Sequence, residues 1–428
     1  MNKITSFRDA RPASVALITP RPTESDLLLR KTISPHLHQQ RSYREQYGDI
    51  NCQTIIAGDR NETAKAIRLM KKSHRKLLND EIFTTVNNDC AKYRKLRGFD
   101  KWTVSEEERT FPIAYSILFY KDIEQVETLL KAIHRPHNRT VYCLHVDAYS
   151  NQQTHNATES LAACFDNVFV VSRKETVVYA GFSRLQADLN CMKDLLSNNV
   201  EWQYFINLPS QQYPLKTNEE IVKILKIYNG ASDIEGITGK RMIASRFRFE
   251  YDYIYGNNST KPSIVKTNRR KSPPPHNITV VKGSAYGVFS RSFVEYIIND
   301  QRAKDFLNWC RSVFSPDEYY WATLHHNPHL HIPGSYSGVP DKKPWLAVFA
   351  AWAGADKCDG RFVRQVCVFG VGDLRRLVLK KELFANKFYL DFQPLALRCM
   401  EEWLFNKTQH MDSLDLQYYR DLPFIRKS

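Results

Sequence analysis

Ile113-Ala-Tyr-Ser-Ile-Leu-Phe119 is an apolar run of strand length, and Ile123, Val126, Leu130 and Ile133 then recur at helical spacing. Thr140-Val-Tyr-Cys-Leu-His-Val146 is a second such run, ending at Asp147, and Asn167-Val-Phe-Val-Val-Ser172 is a third. A helix is predicted from Ser183, with Leu185, Leu189, Met192 and Leu196 on one face. Gln203-Tyr-Phe-Ile-Asn-Leu208 is a fourth strand, and Thr217-Asn-Glu-Glu220 is a capping box opening a helix through Ile221, Leu225 and Tyr228. Nearly all-apolar strands alternating with amphipathic helices predict an α/β fold, a mainly parallel sheet with helices on both faces. Ligands of such sheets bind at the carboxyl ends of the strands. That puts Tyr115 away from a site, and Asp147, Ser172 and the Pro209-Ser-Gln-Gln-Tyr-Pro214 loop beside it.

Working outward, residues 1–50 are polar and basic, with Pro12, Pro20, Pro22 and Pro35, and read as a loosely ordered stem. Residues 51–110 read as short helices, where Ser105-Glu-Glu-Glu108 either caps one or forms a solvated acidic turn. The strand-helix alternation occupies 111–230. A second half, 231–405, is less regular at first and broken by Pro273-Pro-Pro275; residues 406–428 form a tail. Ile278-Thr-Val-Val281 and Ala285-Tyr-Gly-Val-Phe289 read as a hairpin around Lys282-Gly283-Ser284. Arg361-Phe-Val-Arg-Gln-Val-Cys-Val-Phe-Gly370 reads as one strand, and Leu383-Phe-Ala-Asn-Lys-Phe388 precedes a last helix around Leu395 and Trp403.

The 428 residues are 43% hydrophobic and 12% aromatic, enough for a sizeable folded core. The formal charge of +15 suits anionic ligands. No basic block with interleaved aromatics occurs, so nucleic acid is not an expected partner. Nine cysteines without a CxxC pair argue against a zinc ribbon or thioredoxin-like site. An odd, scattered set fits buried thiols or four bridges and one spare. Sequons at Asn61, Asn138, Asn156, Asn257, Asn258, Asn277 and Asn406 favour a secretory chain. No signal peptide or membrane-spanning run is visible, so membrane association is expected only through an anchor that this chain lacks.

GxGxxG, P-loop, GxSxG and HExxH patterns are absent. Chemistry is concentrated instead in Phe314-Ser-Pro-Asp-Glu-Tyr-Tyr-Trp-Ala-Thr323. Ser315 as N-cap, Pro316 first and Glu318 third would make a capping box. Glu318 is then either a tie for the helix end or a general base beside aromatic rings suited to a sugar face. His325, His326, His329 and His331 follow without a carboxylate or cysteine at a recognisable metal spacing, and no metal is expected. Arg364 and Lys387 stand in apolar, tightly patterned segments, either snorkelling outward or held for a ligand.

Eight motifs in order, Phe111-Pro-Ile-Ala-Tyr-Ser-Ile117, Cys143-Leu-His-Val-Asp147, Cys164-Phe-Asp-Asn-Val-Phe169, Val177-Val-Tyr-Ala180, Ala187-Asp-Leu-Asn-Cys-Met-Lys-Asp194, Ser315-Pro-Asp-Glu318 with Trp321-Ala-Thr323, Val366-Cys-Val-Phe-Gly370 and Phe384-Ala-Asn-Lys387, resemble the core 2/I-branching β-1,6-N-acetylglucosaminyltransferases. The resemblance covers about residues 50–405. It implies a GT-A-like fold with a nucleotide-sugar-binding half over 111–230 and an acceptor-binding, catalytic half over 231–405. It also implies type II topology at the lumenal face of the Golgi membrane, and inverting transfer from UDP-GlcNAc or another UDP-sugar to the 6-hydroxyl of GalNAc or Gal on an O-glycan. By resemblance, Glu318 is the catalytic base and Arg364 and Lys387 hold the UDP diphosphate. Asp147 and Tyr179 lie near the uridine, and Glu235, Arg246 and Trp352 near the acceptor. The implied disulfides are Cys52–Cys399, Cys90–Cys164, Cys143–Cys191 and Cys358–Cys367, with Cys310 free. No metal cofactor is implied, and no Asp-x-Asp occurs in the chain; two fixed cations can stabilise a departing diphosphate instead.

The chain departs from the family pattern where sugars would be recognised. Gln212 stands where an Asp is usual, and the segment before Cys358 is short. A Tyr expected after Trp352 is absent, and Ile243 occupies a basic position, with Lys240 and Arg241 nearby. Alternative readings are a protein O-xylosyltransferase-like enzyme and a non-catalytic glycan-binding protein.

Overall fold

The computed structural model describes residues 50–72, 77–136, 139–254, 262–410 and 414–425. The expected stem, apart from residue 50, and the sequons at Asn138, Asn257 and Asn258 lie outside the described residues. The strands β1 (Ile113–Phe119), β2 (Val141–Val146), β3 (Val168–Val170) and β4 (Tyr204–Pro209) come first along the chain. There follow β5 (Gln212–Pro214), β6 (Phe249–Ile254), β7 (Ser263–Arg270), β8 (Val288–Ser290), β9 (Val348–Ala350), β10 (Arg361–Val363), β11 (Val366–Val368) and β12 (Phe384–Asn386).

The central sheet has the order β3-β2-β1-β4-β8. Its first four strands are parallel, and β8 runs antiparallel to β4. Burial on both faces explains the all-apolar strands. In β2, Tyr142 and Leu144 enter one core with Ile123, Val126 and Leu130 of the helix Ile123–Ile133, while Val141 and Cys143 enter the other with Leu185, Leu189 and Met192 of the helix Phe182–Leu196. Each Leu or Val so buried contributes roughly 1.5–3 kcal/mol. This is the mixed α/β architecture, parallel-dominated and covered on both faces, that the alternation predicts, and it is consistent with a GT-A-like fold.

The chain steps outward from β1 to β2 to β3, then returns to the other side of β1 for β4. That reversal is a switch point, and the crevice lies at the strands' carboxyl ends. There the Asp147 N–H donates to the Phe119 carbonyl at 2.9 Å and the Ser210 N–H to the Leu118 carbonyl at 3.2 Å. Beyond them a small sheet, β5-β12-β9, places the residues after β12 next to the loop after β4: the Phe388 N–H donates to the Gln211 carbonyl at 2.8 Å.

The capping boxes at Ser105/Glu108 and Thr217/Glu220 both form. Two expected elements change. Residues 278–289 are not a hairpin, because their backbones pair elsewhere: Lys282 with Ile237, and Val288 with Asp233 and β4. Arg361–Gly370 is not one strand either. It folds back as the antiparallel pair β10–β11, with Arg364 and Gln365 as a two-residue turn at φ 52° and 65°. Positive φ at both positions is the hairpin turn that matches strand twist. The β6–β7 hairpin lies inside the stretch read as irregular. Disulfides join Cys52 to Cys399, Cys90 to Cys164, Cys143 to Cys191 and Cys358 to Cys367, and Cys310 is free and buried. Among the described residues no helix is long and apolar enough to cross a membrane.

A buried ion pair ties two distant segments together. Lys343 Nζ donates to Asp233 Oδ1 at 2.6 Å with both side chains fully buried, and Asp233 Oδ2 accepts the Leu346 N–H at 2.9 Å. The pair clamps the loop before β9 to the strand-like segment that leads to Glu235. Lys343→Met leaves a buried, uncompensated carboxylate and is expected to cost about 3–5 kcal/mol in denaturant unfolding. Adding Asp233→Leu should recover much of that loss, and a single variant as stable as the parent would contradict this role.

Candidate active site

Ser315 has φ 50°, and its N–H donates to the Ala180 carbonyl at 2.7 Å. The helix therefore starts at Asp317, with Pro316 as its cap and no side-chain cap bond. The expected capping box at Ser315 is absent, because Ser315 is turned toward Ala180 and the Glu318 carboxylate is drawn away from the helix end. Glu318 Oε2 accepts from Arg246 Nη1 at 2.8 Å and faces Lys282 Nζ at 3.1 Å. Among the described residues Oε1 accepts no hydrogen bond, and the side chain is 29% exposed. Glu318 is thus available to chemistry rather than consumed by capping.

Glu235 is half-buried close by. Burial pushes its carboxyl up; Lys282 pulls it down, and the Glu318 charge pushes it up again. The approach is tight: the Gly283 N–H donates to the Glu318 carbonyl at 2.6 Å, and a Cβ at Gly283 would lie 2.3 Å from the Glu235 carbonyl oxygen. Only glycine lets the backbone come so near. Arg246 also lies over the Phe314 ring at 4.9 Å. Glu235, Arg246 and Glu318 therefore lie close together. Trp352, 52% exposed, does not join them by hydrogen bond, ion pair or ring contact among the described residues. It bridges instead to Val366, beside the Arg364 turn.

Arg364 sits on the tip of β10–β11 with its guanidinium 4.5 Å from the Tyr179 ring centroid. Lys387 is buried and donates from Nζ to the Val363 carbonyl at 3.2 Å. Its backbone is welded to the same hairpin, since the Phe369 N–H donates to the Lys387 carbonyl at 2.9 Å. Burial, then the Arg364 charge, holds the Lys387 ammonium below the usual lysine range. Neither cation has an acidic partner among the described residues. Asp147 Oδ1 accepts from the Tyr149 N–H at 2.9 Å and the Val177 N–H at 3.3 Å, anchoring the segment that carries Tyr179, itself 68% exposed. Tyr179 touches Arg364 and Ala180 touches Ser315, so one short stretch connects the Arg364 turn, whose hairpin also holds Lys387, to the Glu318 helix. Nearby, Ser172 donates to Asp194 at 2.8 Å, and the Gln212 amide is buried without a hydrogen-bond partner among the described residues.

Sequence reading missed Lys282, placed in a hairpin turn, and the network under the site. There Asp188 accepts from Ser116 Oγ at 2.9 Å, Arg184 Nη1 at 2.5 Å and Asn207 Nδ2 at 2.9 Å. The polar residues Ser116 and Asn207 inside apolar strands were the available signal. The four histidines form no metal-binding group among the described residues: His325 and His326 are buried in the core, while His329 and His331 are exposed.

The description Core-2/I-Branching enzyme belongs to a family model that matches residues 113–378. Among curated proteins, the chain is 38% identical to a β-1,3-galactosyl-O-glycosyl-glycoprotein β-1,6-N-acetylglucosaminyltransferase 4 of Danio rerio, over 88% of this chain and 89% of that one. It is 37% identical to a human β-1,3-galactosyl-O-glycosyl-glycoprotein β-1,6-N-acetylglucosaminyltransferase, over 84% and 86%. Among solved structures, mannose-1-phosphate geranyltransferase from Thermus thermophilus aligns at 10% identity with a TM-score of 0.21, over 46% of this chain and 67% of that one, too loose a likeness to bear on the fold.

Asp317 beside Glu318 is pushed up to about 6 by burial, with Arg184 pulling it down and Glu318 and Asp188 pushing it up. An acid whose folded pKa is raised favours the folded state while protonated; that contribution is full below about pH 4 and is lost as pH rises through about 6. Asp317→Asn should therefore gain stability relative to the parent between pH 4 and 7, on the order of 3 kcal/mol at the plateau. Thermal unfolding of both proteins across that range checks it; a constant difference would show that Asp317 is not the group responsible.

Proposed function

The chain belongs to the core-2/I-branching enzyme family, and from that premise we propose that it is an inverting β-1,6-N-acetylglucosaminyltransferase acting on O-glycans. The donor is UDP-GlcNAc and the acceptor group is the 6-hydroxyl of a GalNAc or Gal residue. The observation that carries the reading is an unopposed cation pair, Arg364 and Lys387, coupled through Tyr179–Ala180 to a carboxylate with one free oxygen, Glu318.

The reaction is a single in-line displacement. Glu318 takes the proton from the acceptor hydroxyl as its oxygen attacks the anomeric carbon. The bond from that carbon to the UDP oxygen breaks, its electron pair leaves with UDP, and α becomes β. Charge grows on the diphosphate, where Arg364 and Lys387 stabilise it. Two cations held near each other repel, and a diphosphate between them relieves that repulsion, which supports this assignment. Asp147 and Tyr179 border the uridine, while Glu235, Arg246 and Trp352 border the acceptor. No divalent metal takes part. Four disulfides, and sequons exposed at Asn61, Asn156 and Asn277, support work in the Golgi lumen, anchored as a type II protein.

Three measurements test this. Glu318→Gln should lower transfer from UDP-GlcNAc by roughly 100- to 10,000-fold while UDP affinity is kept; equal rates would end the assignment. Arg364→Ala with Lys387→Ala should weaken UDP binding by at least about tenfold, given about 1.5–3 kcal/mol for each hydrogen bond to a charged group. Transfer measured with excess chelator should match transfer without it, and a rate restored only by added divalent ion would overturn the metal-free mechanism.

A further inference from the structure

Lys282 is a built part of the pocket. Its backbone pairs with Ile237 in both directions, at 2.7 and 3.1 Å, and the next N–H, of Gly283, bonds the Glu318 carbonyl. Its side chain is only 15% exposed, with Nζ 3.1 Å from Glu318 Oε2, the oxygen that Arg246 also grips. The charge reaches Glu235 as well, where it opposes burial and the Glu318 charge alongside Arg241 and Lys343. The stretch between Glu235 and Arg246 brings no cation to Glu318: Ile243 and Lys240 are exposed, and Arg241 is turned to Asp341 at 2.6 Å.

We propose that Lys282 is a positioning residue for sugar transfer: with Arg246 it clamps Oε2 of Glu318, leaving Oε1 to meet the acceptor hydroxyl, while its charge offsets the repulsion between Glu318 and Glu235. This rests on the reading of Glu318 as the base. The Arg246 hydrogen bond and the Lys282 ion pair on one oxygen restrain the carboxylate, and misplacing a reacting group by about 1 Å can cost roughly 100-fold. Removing Lys282 leaves two neighbouring carboxylates with one cation fewer to offset their repulsion.

The full chain is compared with Lys282→Met and Lys282→Arg for transfer from UDP-GlcNAc to a β-1,3-galactosyl-GalNAc glycopeptide, with UDP affinity measured by calorimetry. Lys282→Met is expected to lower kcat by about 10- to 100-fold, with UDP affinity within about twofold of the parent, and Lys282→Arg to recover most of the rate. Should Lys282→Met lose UDP affinity too, Lys282→Gln, which keeps a donor without the charge, is read by the same criteria. A kcat within about twofold of the parent, or a loss confined to KM, overturns the inference. An inactive parent chain would instead end the reading of Glu318 as a base, so the two failures are told apart.

Discussion

A backbone hydrogen bond from the Ser315 N–H to the Ala180 carbonyl, 2.7 Å long, holds the two parts of the site to each other. Ser315 lies three residues before Glu318, and Ala180 follows the tyrosine whose ring sits under Arg364. Ser315 has a positive φ, a conformation an L-residue adopts at some cost, and it denies the helix its usual serine cap. The helix start is less well capped as a result, and the Glu318 carboxylate is released into the pocket, where two cations receive it.

Charge in this site is arranged unequally. Around Glu318, two acids and two cations nearly balance, and the cations share one carboxylate oxygen. At the β10–β11 tip, Arg364 and Lys387 stand together without an acidic partner among the described residues. The first arrangement fixes a carboxylate in place; the second leaves a field for an anion. An enzyme that moves a sugar from a nucleotide needs both, side by side, at the moment the leaving group gains charge.

The parallel sheet was readable because each strand is buried on both faces and so carries almost no polar residue, as in β2. Two exceptions, Ser116 and Asn207, belong to the network around Asp188. The β10–β11 fold-back was not readable. Arg364 and Gln365 are not the residues that usually mark such a turn; the fold-back is tied instead by the Cys358–Cys367 disulfide and the backbone bond from Phe369 to Lys387.

The sequence alone settled the alternation of strands and helices from β1 to β4 and, through motif order, the family. These are set by local apolar periodicity and by short runs of contiguous residues. Only the tertiary structure decided that Glu318 is an ion-paired carboxylate rather than a cap, that Arg364 rides a turn against Tyr179, and that Lys282 reaches Glu318. Each of those depends on partners distant along the chain, whose approach is governed by backbone pairing and close packing that no local pattern encodes.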